Sequence, residues 1–80
     1  MKLTNSKEIM EFRFAIGKCK GSVWLKDPDG NIFNLKSVIS HYIALGRLLE
    51  EHGDLLELFC DNKDDEVHFR KFFKDNPGVL

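Results

Sequence analysis

The sequence predicts an α+β domain in which helices cover one face of a small antiparallel sheet, and three observations carry that prediction. The turn signal Asp27-Pro28-Asp29-Gly30-Asn31 separates two short runs rich in strand formers, which marks a hairpin. Apolar residues elsewhere recur at helical spacing, as at Ile9, Phe12, Ile16 and Cys19. The resulting order, β-α-β-β-α-β-α, combines consecutive hairpin strands with helices able to cover one sheet face. No repeat, linker or low-complexity stretch interrupts it, so residues 1–80 are read as one domain.

Each element has a local reason. Residues 1–4 (Met-Lys-Leu-Thr) are read as a short first strand. Asn5 then stands as a helix N-cap, its side chain able to accept an early backbone N–H, and Glu8 completes a capping-box pair. The helix carries its apolar stripe on Ile9, Phe12, Ile16 and Cys19, widened on one flank by Met10 and Phe14, and ends at Gly21. Gly17 is its weak point, costing about 1 kcal/mol relative to Ala. Ser22-Val23-Trp24-Leu25 and Ile32-Phe33-Asn34-Leu35 form the hairpin arms, with Pro28 presetting φ and Gly30 accepting a positive one. Ser37 is placed to cap the second helix, whose apolar positions Ile39, Tyr42, Ile43, Leu45, Leu48 and Leu49 keep helical spacing to about His52, with Gly53 as the stop. Leu55 to Cys60 reads as a buried strand. The acidic run from Asp61 to Glu66 suits the positive end of the helix that follows, carried by Val67, Phe69, Phe72 and Phe73 and ended by Pro77-Gly78.

Composition bounds the function. At 42% hydrophobic and 31% charged the chain is that of a folded domain rather than a disordered one. Its 80 residues bury only roughly 60–65% of the unfolded surface, leaving little core for a deep active-site cavity. Seven Phe fill that core economically. A net charge of −1 gives no electrostatic footing for nucleic acid, and Lys18, Lys20 and Lys26 are read as a solvated surface because Asp27 and Asp29 follow at once. No apolar run approaches the roughly 18 residues of a membrane helix, and the first eight residues lack a signal-peptide core. Neither nucleic acid nor membrane is an expected partner. Cys19 and Cys60, both in apolar surroundings, are read as free thiols in a reducing, cytoplasmic compartment rather than as a disulfide framework.

Four features combine between Phe12 and Phe73. The helix ending in Ile16 to Cys19 runs at once into Val23-Trp24-Leu25. The hairpin leads into Asn34-Leu35-Lys36-Ser37-Val38-Ile39, a Lys-Ser-hydrophobic segment that opens a helix. Gly53-Asp54-Leu55 follows that helix, and Asp64-Asp65-Glu66 starts the last one. In these features the chain resembles the HPr family, the small phosphocarriers of bacterial sugar uptake. The resemblance implies an open-faced sandwich: a four-stranded antiparallel sheet of order 1-4-2-3 with the helices on one face. It also places Asn5 where the family keeps its phosphorylated histidine, Lys7 on the family's Arg and Glu8 on its Pro. A phosphoryl relay needs an imidazole acceptor, free helix N–H groups and a nearby cation. Asn5 offers no nucleophilic nitrogen and Glu8 adds negative charge, so these are degenerate phosphate-site positions and the chain is read as non-enzymatic. It departs from the family again at Leu45-Gly46, one residue further from Ser37, and in a longer connection over 47–52.

Ser37 corresponds to the serine that a dedicated kinase modifies in many family members. Phosphorylation there would add a charge of about −1.5 to −2 where the helix dipole favours it; a plain N-cap is the simpler use of the same residue. Ile39 and Tyr42 fall on the family's apolar contact patch, which implies docking of a kinase or regulator of the sugar phosphotransferase system; their helical spacing alone turns both toward the sheet. His41, His52 and His68 lack metal-ligand spacing and are read as surface residues. Asp27, Asp29 and Asn31 around Gly30 faintly imitate a calcium loop without its terminal Glu, so a hairpin turn is expected there. Trp24 and the Phe set are read as core. No cofactor and no metal is expected. The leading reading is an HPr-like regulatory protein acting through protein contacts; the alternatives are a phosphocarrier using a histidine such as His41, or an unrelated α+β interaction domain.

Overall fold

The computed structural model describes residues 1–49 and 56–79. The expected helix end near His52, its stop at Gly53 and the Gly53-Asp54-Leu55 start of the last strand lie outside the described residues. The elements are α1 (Ser6–Lys18), β1 (Val23–Lys26), β2 (Ile32–Asn34), α2 (Val38–Leu48), β3 (Glu57–Cys60) and α3 (Glu66–Asp75), with 3-10 turns at Lys63–Asp65 and Pro77–Val79. The fold is α+β.

β1 is the central strand, antiparallel to both neighbours, and the sheet order is β2-β1-β3. Trp24 pairs with Asn34 on one side and Phe59 on the other. The sheet therefore has three described strands, and the four-stranded sheet expected from the HPr resemblance is corrected: residues 1–4 are not a strand. The cause is where their donors go. The Met1 ammonium donates to the Leu56 carbonyl, the Lys2 N–H to Val79 and the Leu3 N–H to Leu48. Three donors sent to three separate segments tie the N-terminus into the core without building a ladder. Met1 and Leu3 are buried by this arrangement.

The hairpin turn follows its chemistry. Gly30 takes a φ of +89°, and Asp27 accepts from the Asn31 and Asp29 N–H groups and from the Asn31 side chain. Those bonds, the Asn31 side chain first, hold the Asp27 carboxyl below its ordinary pKa.

Alternation sorts the sheet into two faces. Val23 and Leu25 are fully buried, and Phe33, Leu58 and Cys60 pack against the same core. Phe12, Ala15 and Ile16 of α1, Ala44 and Leu48 of α2, and Phe69 and Phe72 of α3 complete it. Phe12 sits at its centre, its ring 6.2 Å from Phe69 and 5.6 Å from Phe72. Not every aromatic is core, as the composition suggested. Trp24 is half-buried on the opposite sheet face, where its indole N–H donates to Asp61, and Phe14 and Phe59 are exposed. Met10 and Phe14, read as widening the α1 stripe, lie too far round the helix to reach the core.

One clasp was invisible to periodicity. Asp65, buried ahead of α3, accepts the backbone N–H groups of Lys20 and Gly21 at 2.9 and 2.8 Å, which pins the end of α1 to the start of α3. These bonds hold the Asp65 carboxyl below its ordinary pKa. α1 itself stops at Lys18, with Cys19 as its C-cap, rather than at Gly21. Gly21 is needed for a different reason: a Cβ there would lie 3.0 Å from Asn62 Cβ.

Candidate functional site

The amino end of α1 is built as the sequence suggests, with one shift. Asn5 caps the helix through Oδ1, which accepts the Glu8 N–H at 2.9 Å. Glu8 reaches one residue further back than a capping box requires. Its Oε1 accepts both the Thr4 N–H and the Thr4 hydroxyl, at 2.8 and 2.9 Å, and these bonds draw its carboxyl below the usual range. The helix end thus already has a buried carboxylate folded over it, while Asn5, Ser6 and Lys7 are exposed.

α2 leaves much of its apolar surface exposed. From Val38 to Gly46 it carries no charged residue, yet only Ala44 and Leu48 are buried. Ile39 is 75% and Tyr42 59% exposed, and Val38 and Ile43 are exposed beside them. The expectation that spacing turns Ile39 and Tyr42 toward the sheet is therefore corrected, because the inward stripe is Ala44 and Leu48 with Leu45 half-buried. Ser37 stands at the N-cap with extended backbone, but its side chain makes no capping hydrogen bond, and the residue is exposed. The capping use expected of its hydroxyl is not made.

Two neighbours frame this patch. The Arg13 guanidinium lies 5.8 Å from the Tyr42 ring centroid, carrying the surface across to α1. Lys36, next to Ser37, donates through Nζ to the Cys19 carbonyl at 2.7 Å and closes the end of α1. Between α1 and α2 runs an open groove of about 910 Å³ lined by Ile9, Met10, Arg13, Lys36 and His41 among others, with no carboxylate in its lining.

His41 is half-buried in that groove rather than on the surface. Its Nδ1 lies 3.0 Å from the Leu35 carbonyl, so it carries the proton and donates, and Nε2 is shielded and without a partner. His68 is half-buried between α1 and α3, and His52 lies outside the described residues. Cys19 is buried and Cys60 half-buried, both as free thiols; burial pushes Cys19 up to about 11 and raises Cys60 as well. Among the described residues no group of His, Cys, Asp and Glu could hold a metal ion, and no helix is long and apolar enough to cross a membrane.

No family model, curated protein or solved structure matches the chain.

Proposed function

We propose that this chain is a non-catalytic, HPr-like regulatory protein that docks a protein partner on the α2 face, with Ser37 as its phosphorylation switch. The observation that carries the reading is the exposure of Ile39 and Tyr42 on an uncharged helical surface beside a serine whose hydroxyl is unused. An apolar patch of this kind loses water only when a partner covers it. The partner would be the kinase or a regulator of the sugar phosphotransferase system. Phosphate on Ser37 would place charge at the α2 amino end and next to Lys36, changing the same surface that docks.

A carrier role fits less well. Asn5 has no acceptor nitrogen, the Glu8 carboxylate covers the helix end, and both His41 nitrogens are engaged or shielded.

Two assays test the reading. Incubation with the family's serine kinase and ATP is expected to label the wild type and leave Ser37→Ala unlabelled. The double variant Ile39→Ser, Tyr42→Ser is expected to bind the kinase about tenfold or more weakly while keeping its fold. Acid-labile label on His41 after incubation with the general phosphotransferase enzyme and phosphoenolpyruvate would overturn it.

A further inference from the structure

We infer that the groove between α1 and α2 receives an acidic amphipathic helix of the docking partner. The inference rests on the reading of α2 as a docking surface and names the chemistry of what docks there. The α1 wall is a single helical row: Ser6, Met10, Arg13 and Gly17 recur at i, i+4, i+7 and i+11, and all four are exposed. With 13 residues in α1, that wall is about 20 Å long. Leu35, Lys36 and His41 stand across from it. Met10 and Phe14 put exposed apolar surface along the groove.

Charge selects an acidic occupant. Arg13, Lys18 and Lys36 line the groove, and among the described residues lining it none is a carboxylate. The chain holds 13 Asp and Glu, yet none falls between Ile32 and Leu49, so the α2 side is free of negative side chains as well. Lys36 uses one N–H on the Cys19 carbonyl, and its ammonium keeps donors for an incoming carboxylate. Complementary charge of this kind steers a partner and fixes its register. Gly17 supplies an independent argument. It sits inside α1, where glycine weakens a helix, and a Cβ built on it would meet nothing within 4 Å. Packing within this chain therefore gives no reason for a glycine there. The missing side chain leaves room for a second backbone to come close to α1. A helix seated in the groove sets apolar residues at i, i+3, i+4 and i+7 against Met10 and Phe14, with carboxylates on its flanks toward Arg13, Lys18 and Lys36. A nucleic acid would meet the cations but has no aliphatic face to cover Met10.

Fluorescence anisotropy with a labelled helical peptide of about 14 residues, roughly 21 Å long, tests this. The peptide carries Leu along one face and Glu on both flanks; a second peptide has Lys in place of every Glu. The full chain is expected to bind the acidic peptide at low salt at least about tenfold more tightly than the basic one. Gly17→Leu is expected to weaken that binding about tenfold while raising the thermal midpoint, because leucine is the better helix former. A loss of affinity in a more stable protein is not a folding defect. Arg13→Glu with Lys18→Glu is expected to reverse the preference between the two peptides. Absence of binding, equal affinity for both peptides, indifference to Gly17→Leu, or tighter binding of a single-stranded oligonucleotide each overturns the inference. If any of these occurs while Ile39→Ser with Tyr42→Ser still weakens the kinase, docking on α2 stands and the groove assignment alone falls.

Discussion

Asp65 and Glu8 show how a single carboxylate can fix a junction that hydrophobic pattern leaves open. Asp65 holds two backbone donors across the α1–α3 connection, and its pKa is lowered by those bonds. A group whose folded pKa lies below its unfolded value contributes stability that is complete above the unfolded value, near pH 4, and is lost as pH falls through the folded one. Urea denaturation of the wild type is therefore expected to show a midpoint that drops on acidification below about pH 4. Asp65→Asn should be less stable at pH 7 and lose part of that acid dependence, because it cannot offer two carboxylate oxygens to Lys20 and Gly21. The thiols give a second check at this scale. Cys19 is buried with its pKa pushed up to about 11, so a thiol reagent at neutral pH is expected to modify it far more slowly in the native protein than in denaturant.

Among the elements, α2 carries the sharpest contrast between what a pattern suggests and what packing selects. Its apolar residues surround the helix, and a helix of that kind can bury only one stripe against a single sheet. Ala44 and Leu48 take the core, and Ile39 and Tyr42 are left outside. Leu48→Ala is accordingly expected to cost about 2–5 kcal/mol in chemical denaturation, while Ile39→Ser stays within roughly 0.5 kcal/mol of the wild type. Equal losses at the two positions would place Ile39 in the core. The hairpin offers a further test. Gly30→Ala forces a side chain into the left-handed region and is expected to destabilise by roughly 1 kcal/mol.

For the molecule as a whole, the legible parts of the sequence were those with short-range causes. The Asp27–Asn31 turn, the Asn5 cap and the α1 stripe through Phe12 and Ile16 declare themselves through spacing and turn chemistry, and the α+β class follows from them. Contacts between distant segments left no such mark. The Met1, Lys2 and Leu3 donors bind three segments far along the chain, which is why a strand-like tetrapeptide is no strand. The Asp65 clasp likewise depends on how two helices meet, and periodicity within either helix is silent about that. Of the candidate site, Ser37, Ile39 and Tyr42 were singled out through the family resemblance, while spacing within the helix turned Ile39 and Tyr42 inward and tertiary packing left them exposed.

The most direct test of the account is residue-resolved: amide chemical-shift mapping of the labelled chain titrated with the family's serine kinase. The account predicts perturbations concentrated over residues 36–43 and abolished by Ile39→Ser with Tyr42→Ser. No perturbation, or one centred on a surface remote from α2, would contradict it.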